Sequence, residues 1–272
     1  MKGKTVLVTG SNTGIGKVTA QQLALNGAHV VLACRNQQKA EAAIADIQTA
    51  VPGASLSFVT LDLGSLEAVK AAAEVVKQGP KLDVLVNNAG LAGAKGITSD
   101  GFEVHFGVNH IGPMAFTLAI EDHIQDGGRI VNVASRAHTR VKGIDFEAAR
   151  TETQTRFGFH EYSVSKLCNV LFAAKLAERL KPRGIDVYSL HPGVVASDIW
   201  RRLPRFLRPL MKLFMVTNEE GARTSLHCAM SSEAAGKTGL YWDKCAPKEA
   251  AAPGRDKALG EALWNRSVEW IG

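Results

Sequence analysis

Seven apolar runs of strand length, separated by stretches of helix length, restrict this chain to very few folds. KTVLVT (4–9), AHVVLAC (28–34), SLSFVTL (55–61), LDVLVN (82–87), RIVNVAS (129–135), IDVYSL (185–190) and GLYW (239–242) are rich in Val, Ile and Leu and show little polar alternation. Strands covered on both faces read this way. Between them lie amphipathic stretches such as KVTAQQLALNG, NQQKAEAAIADIQTA, SLEAVKAAAEVVKQ and VSKLCNVLFAAKLAERLK, each long enough for a crossover helix. Right-handed crossovers then predict an α/β architecture, a Rossmann-type doubly wound parallel sheet of about seven strands with helices on both faces. Ligands of such sheets lie beyond the carboxyl ends of the strands.

Size and composition agree with one domain over residues 1–272. A chain with 46% hydrophobic and 21% charged residues, and no long like-charge block, buries a substantial core. Cys34, Cys168, Cys228 and Cys245 lack metal-ligand spacing, so free thiols and no metal are expected. Met1-Lys2-Gly3-Lys4 runs straight into the first apolar segment, and no apolar run approaches the ~20 residues of a membrane span. A soluble, cytoplasmic protein is the expectation. Much of the net charge of +6 sits in WRRLPRFLRPLMK (200–212). Neither interleaved stacking aromatics nor a recognised module accompanies it, which argues against nucleic acid as partner. A phosphate-rich cofactor or plain solubility accounts for the charge.

The first strand end reads TGSNTGIG, with Gly10, Gly14 and Gly16 between a strand and a helix. Glycine permits the tight turn and lets the backbone approach a pyrophosphate, whose charge rests on the N–H groups of the following helix. Other strand ends carry Asp62-Leu63, Asn87-Asn88-Ala89-Gly90 and Pro192-Gly193. Ser135 closes the fifth run, and YSVSK (162–166) begins the longest helical stretch. Four residues is about one helical turn, so Tyr162 and Lys166 project from the same face. The pentapeptide alone fits either a catalytic pair or two residues sharing a face.

Together these features resemble the short-chain dehydrogenase/reductase family of the single-domain type. The resemblance covers nearly the whole chain and rests on the glycine turn, NNAG, the asparagine of GVNHIG, Ser135, YSVSK and HPGVVAS. Through VVLACRN, DGFEVHFGVNH and EEGARTSLHCA the chain is most similar to the retinol dehydrogenase branch. The resemblance implies a nicotinamide dinucleotide, with Gly10, Ser11, Asn12, Gly14, Ile15 and Gly16 around its pyrophosphate and adenosine ribose. It implies Asp62 and Leu63 at the adenine, Ala89 and Gly90 beside the cofactor, Pro192 and Gly193 next to it, and Val195 and Ser197 facing the nicotinamide amide. Asn88 is either a cofactor contact or a tie between neighbouring strands.

The end of the second strand bears on the choice of dinucleotide. An NAD enzyme commonly places a carboxylate there for the ribose 2′-hydroxyl, whereas a 2′-phosphate needs a cation. This chain has Cys34 and then Arg35, and a guanidinium suits a phosphate by charge and fork geometry. NADP(H) is therefore expected, with an NAD-preferring enzyme of the same fold as the alternative.

A phenol of pKa ≈ 10 is a poor base, but a neighbouring ammonium and the positive nicotinamide ring both favour phenolate. That makes Tyr162 the acid/base, with Ser135 holding the reacting oxygen and Lys166 also bonding the nicotinamide ribose. Asn109 matches the family position that anchors a water for proton relay. The stretch 136–161 is longer than in most of the family and is expected to run beside the pocket, where His138 and His160 are either substrate contacts or ordinary loop histidines. Residues 200–216 read as a lid over an apolar pocket, or residues 200–215 as a patch resting on an anionic bilayer. An apolar lid implies an apolar alcohol or carbonyl: a retinoid, a steroid, or an aromatic or aliphatic aldehyde or ketone. Rival readings are a non-catalytic dinucleotide-sensing binding protein and a redox partner at membranes. A homo-oligomer is usual in the family.

Overall fold

The computed structural model describes residues 1–193 and 217–272. In chain order it contains β1 (Thr5–Thr9), α1 (Gly14–Leu25), β2 (His29–Cys34), α2 (Gln37–Ala50), β3 (Leu56–Thr60), α3 (Leu66–Lys77) and β4 (Leu82–Asn87). Next come α4 (Val104–Phe106), α5 (Gly112–Ala119), β5 (Ile124–Val133), α6 (Phe159–Leu180) and β6 (Asp186–His191). The chain closes with α7 (Asn218–Met230), β7 (Tyr241–Asp243), β8 (Ala246–Lys248) and α8 (Lys257–Ile271). The strands form one sheet in the order β3-β2-β1-β4-β5-β6-β7-β8, parallel from β3 through β7. The order reverses between β1 and β4, which opens a crevice at their carboxyl ends.

Strand periodicity explains why β1 carries no polar alternation. Leu7 joins the core on one face, with Leu85, Ile130 and the helices α3, α5 and α6, while Val6 and Val8 join the core on the other, with α1, α2 and α7. Each such fully buried side chain contributes about 1.5–3 kcal/mol of apolar transfer free energy. The helices obey their own period. In α3 the buried residues are Val69, Ala72, Ala73 and Val76, and Ser65 caps its start by accepting from the Ala68 N–H.

Among the described residues the sheet has eight strands where the apolar runs predict about seven. The extra one, β8, pairs antiparallel with β7 through a two-residue loop, Lys244-Cys245, at φ 54° and 61°. Such loops normally advertise themselves as Asn-Gly or Asp-Gly. Lys-Cys gives no such signal, and Pro247 inside a three-residue run speaks against a strand.

Between α4 and α5 the helix widens to a π turn over Gly107–Ile111, where the Gly112 N–H reaches back five residues to the Gly107 carbonyl. The stretch 136–161 packs inward. Val141 and Ala149 share a buried cluster with Phe102, Phe106, Leu171 and Leu263, and Trp270 of α8 meets Phe102 edge-on at 5.7 Å. Buried Glu103 ties this segment down: it accepts from the N–H groups of His105 and Phe106, from His105 Nδ1, and from the Thr153 hydroxyl.

Candidate active site

The switch-point crevice holds a cavity of about 510 Å³ that runs from Arg35 past the glycine turn to Tyr162 and Lys166. Its floor depends on missing side chains. Gly10 has φ +65°, and a Cβ there would stand 2.9 Å from the Ala89 Cα. At Gly16 a Cβ would meet the Gly10 carbonyl oxygen and Asn88 Nδ2, both at 2.4 Å. The first turn of α1 carries no acidic residue, and Gly14, Ile15 and Gly16 line the cavity, so the positive end of the helix faces the space without an opposing charge in its own first turn. An anion is favoured there by the N–H groups of the helix start and by the dipole together. The residues present therefore fit a dinucleotide pyrophosphate.

At the other end, α6 brings Tyr162 and Lys166 to the cavity from one face. Ser135 lies just past β5, as the cap of a short 3₁₀ turn, where its hydroxyl accepts from the Ala137 N–H. Lys166 is 3% exposed; its Nζ donates to the Val133 carbonyl at 2.8 Å and sits 5.7 Å from the Tyr162 ring centroid. Burial lowers the Lys166 pKa to about 8. For Tyr162, burial is the largest effect and raises the pKa, opposed by the Ser135 side chain and by the charge of Arg140. Burial keeps the phenol protonated, the state that donates.

Not every predicted residue presents its side chain to the cavity. The Ser11 hydroxyl turns inward, donating to the Val8 carbonyl at 2.8 Å, with Cys34 Sγ at 3.5 Å. Its main chain alone is left for a ligand. Asn88 lines the cavity while its amide donates to the Thr9 carbonyl at 2.8 Å and reaches that of Gly10 at 3.4 Å, so it ties β1 to β4. Asn109, in the π turn, has both amide N–H groups engaged, by Leu91 O and Ser165 Oγ, and its Oδ1 accepts from the Leu91 N–H at 2.8 Å. The side chain is thus a brace for the Gly90–Leu91 loop: a Cβ on Gly90 would stand 3.2 Å from Asn109 Oδ1 and 3.4 Å from Lys166 Nζ.

Asn12, Asp62, Leu63, Ala89 and Pro192 line the cavity, while Gly193 lines a neighbouring pocket with Pro192. Val195 and Ser197, and the lid or membrane patch read over 200–216, lie outside the described residues. His160 is exposed, and His138 is buried with both ring nitrogens bonded to main chain. Sequence reasoning missed Thr9, whose hydroxyl accepts from the N–H groups of Asn88 and Ala89, and Val108, which lines the cavity from the π turn. A threonine ending a strand and a valine in a helix carry no signal of either role.

Arg35 stands at the far end of the cavity, with Nη1 3.9 Å from Asp62 Oδ2. The guanidinium is 78% exposed, so this carboxylate holds it weakly. Asp62 spends its other oxygen on the Gly64 N–H at 2.9 Å.

Known proteins bear on this arrangement. The family model for short chain dehydrogenases matches residues 4–207. Retinol dehydrogenase 12 of Mus musculus is 38% identical over 276 residues, which cover 99% of this chain and 87% of that protein. Retinol dehydrogenase 11 of Homo sapiens is likewise 38% identical, over 278 residues covering 100% of this chain and 87% of its own length. Among solved structures, an uncharacterised protein from Mycobacterium paratuberculosis superposes with a TM-score of 0.81 at 28% identity, covering 99% of this chain and 94% of its own. A short chain dehydrogenase from Burkholderia cenocepacia J2315, solved in complex with NADP, gives 0.71 at 26% identity, covering 89% and 96%.

Proposed function

Since the chain belongs to the short-chain dehydrogenase family, in its retinol dehydrogenase branch, we propose that it is an NADP(H)-dependent oxidoreductase that interconverts an apolar alcohol with its aldehyde or ketone. The observation that carries this reading is the meeting of Tyr162 and Lys166 at one end of a glycine-floored cavity whose other end carries Arg35, with Ser135 next in the chain to Ala134 of the same wall.

A nicotinamide dinucleotide bound there supplies a hydride for reduction or accepts one in oxidation. Everything else falls to the chain. Tyr162 gives its phenolic proton to the carbonyl oxygen during reduction and takes it back during oxidation. Ser135 donates a hydrogen bond to that oxygen as negative charge builds on it. Lys166, fixed by the Val133 carbonyl, lends positive charge to the same corner and has further N–H groups for a ribose hydroxyl. Arg35 is the group for a 2′-phosphate. Leu91, Ala92, Ala94 and Val108 make the adjoining wall apolar, which favours a substrate with a hydrocarbon body. Relatives that are named retinol dehydrogenases support the same class.

One observation favours a second reading of the cofactor: the Asp62 carboxylate near Arg35 offsets part of the charge a 2′-phosphate needs, as an NAD-preferring enzyme would have it. Absorbance at 340 nm, followed with NADPH and with NADH over a panel of long-chain, aromatic and retinoid-type aldehydes and ketones, tests both. Carbonyl-dependent NADPH oxidation with the higher kcat/KM is the expected result. Preference for NADH overturns the cofactor assignment, and no turnover with either overturns the enzyme in favour of a dinucleotide-sensing protein.

A further inference from the structure

His138, 1% exposed, lies in the turn that follows Ser135. Its Nδ1 is 2.6 Å from the Ser135 carbonyl oxygen, and the His138 main-chain N–H donates to the same oxygen at 3.2 Å. On the opposite side of the ring, Nε2 is 3.2 Å from the main-chain nitrogen of Ala251, 113 residues away in sequence. A carbonyl can only accept and a peptide N–H can only donate. One form of the ring satisfies both, with the proton on Nδ1 and the lone pair on Nε2. Burial favours that neutral form by lowering the pKa, and Tyr241 packs against the ring edge-on at 4.8 Å.

The same turn is gripped from β6 and β7. The Arg136 N–H donates to His191 Nδ1 at 3.3 Å, and the Arg136 guanidinium binds Asp243 with contacts of 2.9 and 3.2 Å. The Ser135 hydroxyl in turn accepts from the Ala137 N–H at 3.1 Å, so its orientation follows the turn. His138 carries the remaining direction, toward the segment ahead of α8.

We propose that His138 is a positioning residue through which the C-terminal segment Ala250–Gly254 sets the place of Ser135. The inference rests on the assignment of Ser135 to the reacting oxygen. His138 does not touch the substrate; it transmits the position of one main-chain N–H to the serine turn.

Ala251 offers a clean test. Its φ of −56° already suits proline, so Ala251→Pro removes the N–H donor at an angle the ring itself adopts. Displacement of a catalytic group by about 1 Å costs on the order of 10²-fold, so kcat for carbonyl reduction should fall about 10- to 100-fold while the Kd for NADPH stays within about twofold. Turnover equal to wild type overturns the proposal. His138→Gln keeps one donor and one acceptor, whereas His138→Phe keeps only bulk. The glutamine variant should retain about tenfold more kcat than the phenylalanine one, and equal losses overturn the proposal in favour of a merely structural ring. A readout independent of turnover is ¹⁵N NMR of the His138 ring in the full chain. The Nδ1–H tautomer is expected and the Nε2–H tautomer overturns the tether. Should wild type reduce no carbonyl, the functional reading fails while the tautomer and its response to Ala251→Pro still decide the tether.

Discussion

Lys166 Nζ lies 5.7 Å from the centroid of the Tyr162 ring and is anchored at 2.8 Å to the carbonyl of Val133, the last residue of β5. Helix α6 and the sheet thereby fix the cation beside the phenol, and the side chain of Ser135, two residues beyond Val133, acts to lower the pKa of that phenol.

Tyr162→Phe removes the proton carrier and little else, because the ring remains. Turnover should fall by about 10²- to 10⁴-fold, with NADPH affinity by fluorescence titration nearly unchanged. A variant that keeps wild-type kcat removes Tyr162 from the mechanism.

Arg35 and Asp62 act in opposite directions on the choice of dinucleotide. Losing the charge-assisted bond in Arg35→Ala should lower the ratio of kcat/KM for NADPH over NADH by about 10- to 100-fold. Asp62→Asn should raise that ratio by a few fold, since the carboxylate 3.9 Å from the guanidinium is gone. Ratios that stay fixed in both variants show that neither residue reads the phosphate.

Acid should weaken the fold through two histidines. Burial lowers the pKa of His110 to about 3 and that of His191 to about 4, whereas both sit at 6.5 in an unfolded chain. Above pH 6.5 neither state takes up the proton and the full stability is present. As pH falls below 6.5 the unfolded chain binds protons that the folded one refuses until about 4, so stability declines by about 1.4 kcal/mol per pH unit for each histidine. Urea unfolding at pH 7, 6 and 5 measures it, and the unfolding free energy should be about 3–4 kcal/mol lower at pH 5 than at pH 7. Equal values at the three pH values mean that the two imidazoles take up protons in the folded chain as easily as in the unfolded one.

The β7–β8 loop should be open to improvement. Lys244 and Cys245 at φ 54° and 61° occupy the left-handed region at about 1–2 kcal/mol each. Lys244→Asn with Cys245→Gly supplies the residues that such a loop favours and should raise Tm by a few degrees, about 2–4 °C per kcal/mol for a chain of this size. An unchanged Tm means that packing around Thr224, which accepts from the Cys245 N–H, outweighs the strain.

Legibility in the sequence followed the range of the interaction that sets each feature. The parallel sheet, the glycine turn and the shared face of Tyr162 and Lys166 are periodic or local, and all three are present in the structure. The Lys244-Cys245 loop was hidden because its residues are poor choices for their own conformation. The inward core of residues 136–161 depends on Trp270 and Leu263 of α8, more than a hundred residues away, and no periodicity connects them. Side-chain direction was equally out of reach: Ser11 belongs to the phosphate turn, yet its hydroxyl serves the Val8 carbonyl.

The antiparallel strand at the border of the sheet has a consequence for the company this chain keeps. In a two-residue hairpin the residues flanking the loop exchange main-chain bonds, so the next pair, Trp242 with Pro247, directs its main-chain groups away from each other. Proline at that site turns outward a nitrogen that bears no hydrogen, and Lys248 adds a charge beside it. A second polypeptide seeking to extend the ladder at this rim meets an interrupted row of donors and a cation, which discourages fibrillar or strand-swapped association there.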